Sequence, residues 1–270
     1  MPNLLLSFVT FVAYVLLAAY FWRANACADC DARWRGAVGH LTLIPITLHG
    51  YLLWQGIFAG GGFDLGVYNA LSLIAWLTLL VYWVARFFYP IGGLQALVLP
   101  MAAVTLLLPG VFPADHQLAH TDMLAFKIHI AVAMLAYSLF TIAMVHAILI
   151  SLVEKRLRHA TLPRVLRNLP PLMTMETLLF RMIGIGFVLL TLTLASGILF
   201  SEEIFGKVWQ FNHKILFGFI SWCVFAVLLY GHYFYGWRGK IAVRWTVSGF
   251  VFLMMAYLGS KFVLEQLLHR

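Results

Sequence analysis

Residues 125–152 read AFKIHIAVAMLAYSLFTIAMVHAILISL, 28 positions with a single charge, Lys127. A bilayer core is crossed by about 20 mostly apolar helical residues, so this stretch is long enough to span one. Outward from it, similar apolar runs occupy residues 4–22, 38–57, 66–85, 92–112, 182–200, 215–234 and 244–264, separated by charged and Gly/Pro clusters. The pattern predicts an all-α, polytopic transmembrane bundle of about eight helices, forming a single membrane domain over residues 1–270. The fourth run contains Pro100 and Pro109. It is expected to kink or to dip only partly into the bilayer, as proline-broken backbone does where neighbouring protein covers it.

Composition agrees. Of 270 residues, 63% are hydrophobic and 10% are charged, against about 25% charged in an ordinary soluble domain. That excludes a soluble fold of this size and leaves no room for a separate soluble domain. The stretch 4–22 lacks a basic leader and a small-residue cleavage site, so it reads as a retained first helix. The net charge of +8 is read as a topology signal and not as a nucleic-acid footprint. Arg23, Arg33, Arg35, Arg86, the basic residues of 153–181, and Arg238, Lys240 and Arg244 put 13 of the 18 Lys and Arg on one side. By the positive-inside rule that side is cytoplasmic, which places both termini outside. The basic, amphipathic segment 153–181 is expected to lie along the interface.

Ten histidines are the chemical anomaly, because ionisable groups at membrane depth are costly and mark function. His116, His120, His129 and His213 are expected near the outer face, with His269 beside the C-terminus. His49 falls about mid-span, and His146 and His232 fall in the inner halves of their helices. His40 and His159 read as boundary and loop residues. Neutral imidazole ligates iron, copper or zinc, and haem iron commonly takes axial histidine. The bland alternative for each is an interhelical hydrogen bond. His129 and His146 are 17 residues apart, or ~25 Å along a helix, and cannot share one ligand. No helix carries two histidines 13 or 14 apart, which argues against a quinol-oxidising b-type cytochrome. Cys27-Ala-Asp-Cys30 is a weak motif that reads as reduced thiols, since a zinc site wants four ligands. Trp209-Gln-Phe-Asn-His-Lys214 places Trp209, Phe211 and His213 at one helix mouth, as a shelf for a flat cofactor or as an interfacial anchor.

Four stretches carry a family resemblance: Phe126-Lys-Ile-His129 through Tyr137; Phe180-Arg-Met-Ile-Gly-Ile-Gly-Phe187 with Leu194-Ala-Ser-Gly197; Trp209–Lys214 with Ile220-Ser-Trp222; and Gly236-Trp-Arg-Gly239 with Gly249-Phe250 and Ala256-Tyr-Leu-Gly259. Together, over residues 120–260, they resemble the cytochrome c assembly family of CcsA/CcmC-type haem-handling membrane proteins, and within it the eight-helix YpjD/HemX-like branch. The resemblance implies non-covalently bound haem b and a role in cytochrome c biogenesis. It implies partners among apocytochrome c and other maturation proteins of the bilayer. It implies His129 as an external ligand with His213 as a substitute partner, Trp209 and Phe211 packing the macrocycle, and His49 and His232 as an intramembrane pair. His232 aligns imperfectly, Tyr230 falling nearer the expected position. Lys207, Lys214 or Lys261 would pair with propionates. The family's WGxxWxWDPxE run is reduced here to Trp209 and its neighbours, which points to a non-enzymatic assembly factor and away from a complete haem ligase. The rival readings are a haem-free scaffold or regulator on the same fold, and a transporter of haem or another small solute.

Overall fold

The computed structural model describes residues 2–26, 38–58, 63–89, 93–112, 123–159, 163, 169–205 and 213–259. Their regular structure is eight helices: α1 (Pro2–Ala26), α2 (Leu43–Phe58), α3 (Val67–Ala85), α4 (Gln95–Val111), α5 (Leu124–Arg158), α6 (Leu172–Phe205), α7 (His213–Tyr235) and α8 (Gly239–Met254), the last continuing into a π-helical turn, Met255–Gly259. Seven are long and apolar enough to cross a membrane, taking the second span from Val38; α4, the proline-bearing run, is the shorter eighth. The chain is therefore a multi-pass helical membrane protein.

The described helices divide into two compact units. The first comprises residues 1–118 and 152–175, and the second comprises residues 119–151 and 176–270.

In the first unit α4 packs against both α1 and α3, and α2 packs against α1 and α3. Ala102 and Ala103 of α4 are buried, as are Val98 and Leu99. Such small residues let helix backbones approach closely where lipid supplies no hydrophobic drive between helices. Pro100 lies on the exposed side of α4, where its missing backbone donor disturbs no packed face. The lipid-facing surface of α1 carries Leu4, Leu5, Phe8 and Leu16. The turn into α4 relies on Gly93, at φ +98°. The Leu169 side chain fills the space a Cβ would take there, and Asn25 donates to the Gly93 carbonyl at 3.5 Å.

In the second unit two aromatic rings are seated in two glycine notches. Phe140 of α5 stacks on Phe225 of α7 with centroids 4.0 Å apart. A Cβ on Gly186 of α6 would meet Phe140 at 3.1 Å, and one on Gly249 of α8 would meet Phe225 at 2.7 Å. Polar side chains complete the packing. The Tyr137 hydroxyl donates to the Leu253 carbonyl at 3.0 Å, and Ser221 donates to the Gly249 carbonyl at 2.8 Å.

The segment expected as an interfacial loop over 153–181 is helical at both ends. The helix α5 continues to Arg158, where Arg158 and Glu154 pair one turn apart, a spacing that supports helix. The helix α6 starts ten residues before the expected 182, directly after Pro170-Pro171. Proline's fixed φ suits a helix entry, and the Pro171 carbonyl accepts from the Met175 amide. The eighth helix also starts early, at Gly239 instead of 244, for a reason found in its capping below.

Candidate functional site

His49 lies in α2 of the first unit and is fully buried. Its Nδ1 is 3.2 Å from the Tyr14 hydroxyl, and its Nε2 is 2.9 Å from Ser72 Oγ. The Tyr14 hydroxyl donates to the Pro45 carbonyl at 3.1 Å, which commits its one proton. Proton bookkeeping then makes Nδ1 the protonated nitrogen, donating to the Tyr14 oxygen, and Nε2 the acceptor from Ser72. One imidazole thus joins α1, α2 and α3, and Trp76 of α3 adds a 2.7 Å bond to the Ile46 carbonyl. In this arrangement the lone pair that a metal would use is held by a buried hydroxyl.

His129 lies five residues into α5 in the second unit and is half-buried. Its Nδ1 is 2.7 Å from Ser196 Oγ on α6. Ser196 donates its own proton to the Leu192 carbonyl at 2.7 Å, with the Thr193 carbonyl at 3.2 Å. With its proton so placed, the hydroxyl oxygen accepts from Nδ1–H, the tautomer in which the imidazole lone pair is on Nε2. A Cβ on Gly197 would sit 3.5 Å from His129 Cε1, so the Nδ1–Cε1 edge faces α6. Nε2, on the other side of Cε1, is directed away from Ser196. A ring whose second nitrogen is anchored this way is the usual form of a metal-ligating histidine.

His232, near the end of α7, has its Nδ1 3.0 Å from the Trp237 carbonyl. A carbonyl only accepts, so this ring too is protonated at Nδ1. One face stacks on Phe180 of α6 at 3.4 Å and 11°. The helix ends at Gly236, φ +66°, whose amide returns to the His232 carbonyl in the left-handed cap that glycine serves best. Trp237 then folds back over Gly231, where no side chain would fit. The buried Glu176 carboxylate accepts from the Gly239 amide at 2.9 Å. A carboxylate at a helix N-terminus is favoured by the helix dipole, and this cap explains why α8 begins at Gly239.

The remaining expected residues divide as follows. His146 is buried on α5. His40 is exposed, beside Trp83 and Phe87, and His159 is exposed after α5. The backbone of His213 opens α7, but its side chain lies outside the described residues. So do Trp209, Phe211, His116, His120, His269, Lys207, Lys261, Cys27 and Cys30. The structure thus sets His49 among first-unit partners, and His129 and His232 among second-unit partners. Among the described residues no group of three or more His, Cys, Asp and Glu is gathered as a metal cluster would need. A cavity of about 10 Å³, lined by residues including Thr42, Tyr82, Trp83 and Arg86, has room for one water and none for a cofactor. Tyr14, Ser72 and Ser196 were not foreseen as site residues. Serines in apolar helices are common, and only the tertiary contact shows what each one meets.

Fold and site define a multi-pass membrane protein whose apolar helices carry hydrogen-bonded histidines, His49, His129 and His232. Residues 37–268 match the model of the family described as "Cytochrome C assembly protein". The chain is 30% identical over 235 residues to "Inner membrane protein YpjD" of Escherichia coli (strain K12), covering 85% of this chain and 87% of that protein. It is 37% identical over 89 residues to "Cytochrome c biogenesis protein CcsA" of Prochlorococcus marinus (strain MIT 9515), covering 33% of this chain and 28% of that protein. The chain belongs to the cytochrome c assembly protein family. The matched residues include sequence from both compact units.

Proposed function

We propose that this chain is a haem-handling assembly factor of cytochrome c biogenesis in a bacterial inner membrane, with its basic loops on the cytoplasmic side. The observation that carries the reading is His129: a half-buried imidazole near one end of its span, anchored through Nδ1–H with its lone pair on Nε2. Membership of the family and the partial likeness to a protein named for cytochrome c biogenesis support it.

When bound, haem b would supply an iron that accepts imidazole nitrogen. The chain's own residues divide the work of holding it. His129 would hold the iron through Nε2, and Ser196 would keep that ring in one tautomer and orientation. His213, at the start of α7, would be a second residue holding the iron, with Trp209 and Phe211 as apolar walls. Lys214, exposed one residue on, is a propionate partner beside Lys207 or Lys261. His232 fits the ligand form by its tautomer. His49 fits only if Ser72 gives up its bond to Nε2, so it is assigned here to holding α1, α2 and α3 together. The short Trp209–Lys214 segment supports a factor that holds and passes on haem and does not itself attach it.

The test is a reduced-minus-oxidised absorption spectrum of the detergent-purified protein from haem-replete cells, with a pyridine haemochrome assay for stoichiometry. A b-type signal that falls by at least about tenfold in His129→Ala is expected, since outer-shell partners alone typically carry 10–100-fold in metal-site affinity. Absence of haem, even after haem is added back, favours the haem-free scaffold, a reading to which the fully hydrogen-bonded His49 also lends support.

A further inference from the structure

Ser196 is in direct polar contact with the proposed ligand. Its proton is committed to its own helix, at 2.7 Å from the Leu192 carbonyl, and its oxygen is 2.7 Å from His129 Nδ1. The result is an ordered chain, His129 Nδ1–H to Ser196 O–H to Leu192 C=O, on two helices of the same unit. Hydrogen bonds in such a chain polarise one another. Each step draws the Nδ1 proton toward Ser196 and leaves more electron density on the imidazole, and so on Nε2. An acceptor on the far nitrogen raises the basicity of a ligating histidine and orients it. The strength of that acceptor decides how far. A carboxylate would pull hardest, a methyl group would not pull at all, and a hydroxyl lies between.

We propose that Ser196 is a positioning residue that tunes how firmly His129 holds ferric haem, by accepting the Nδ1 proton. This rests on the haem reading above. An acceptor of intermediate strength suits a protein that must both take and surrender its cargo. A bare imidazole would hold ferric iron weakly, and a carboxylate-backed one would retain it.

The experiment uses the whole chain in detergent, loaded with haem, and three substitutions at one position. Ser196→Ala removes the acceptor, Ser196→Asp strengthens it, and Ser196→Thr preserves a hydroxyl. Two quantities are read: the reduced fraction of haem at a fixed ambient potential, and the rate at which ferric haem is lost to excess apomyoglobin. Ser196→Ala should raise the reduced fraction and speed ferric loss by about tenfold, within the range known for outer-shell partners of metal ligands. Ser196→Asp should lower the reduced fraction and slow the loss, and Ser196→Thr should stay near the parent. Opposite signs for Ala and Asp are the signature, because a mere packing defect moves both the same way. If Ala and Asp shift together, or neither shifts while His129→Ala still removes the haem signal, the tuning role is overturned and the haem reading stands. If His129→Ala leaves the signal intact, the ligand assignment falls and this proposal falls with it. Size-exclusion elution and haem content confirm that each variant has folded.

Discussion

His49 and His129 are the same residue in the same tautomer, each on a transmembrane helix and each bonded to a serine on a neighbouring helix, yet the two serines do opposite things. Ser196 accepts, because its proton is committed to the Leu192 carbonyl. It therefore bonds to the protonated nitrogen and leaves the lone pair on the other. Ser72 donates, because Tyr14 has already taken the Nδ1 side of His49 after committing its own proton to Pro45. In the first arrangement the serine takes the imidazole's proton, and in the second it takes the imidazole's lone pair. A histidine within a membrane span is therefore a functional signal only together with the proton inventory of its neighbours.

The largest effect that sharpens this contrast is on stability. His49→Ala opens a cavity among three helices and strips Ser72 of its acceptor. About 2–4 kcal/mol of stability is expected to be lost, as for other large-to-small core changes, and read as a lower Tm in detergent. The haem signal assigned to His129 should survive. If folded His49→Ala loses that signal, the contrast breaks and His49 returns as a ligand.

A smaller change follows for Ser72→Ala, which leaves the buried Nε2 without its donor. A loss of about 1–2 kcal/mol is expected, by the same thermal measurement. It should also add less than independently to His49→Ala in a double variant, because the two share one bond. Full additivity would show that the bond in the structure carries no energy.

The smallest effect belongs to the second region. Gly197→Ala puts a methyl group at ordinary contact distance, 3.5 Å, from His129 Cε1. Stability should change by no more than about 0.5 kcal/mol and the spectrum should be unchanged. A marked spectral shift would mean that the ring is held by shape against α6 and not by Ser196.

Much of this was legible in the residues. The apolar run 125–152 and its seven counterparts gave the helix number, because a bilayer sets a minimum apolar length for every crossing segment. Pro100 and Pro109 marked α4, the apolar helix that falls short of the seven candidate spans. The stretches around His129 and Leu194–Gly197 also marked the family, which the match over residues 37–268 shows. Helix ends were less legible. The start of α8 depends on Glu176, 63 positions away in sequence, and the far end of α5 runs past its apolar stretch on polar residues that pair one turn apart.

The sequence by itself determined that the chain lives in lipid, in about eight helices, with histidines at depth, since hydropathy and length are properties of local segments. Only the tertiary structure brought His49, His129 and His232 to the partners from which their tautomers are read. Those partners are hydroxyls and carbonyls of other helices: Tyr14 and Ser72 for His49, Ser196 for His129, and the Trp237 carbonyl across a turn for His232. Their spacing along the chain follows no period, so no local pattern encodes it.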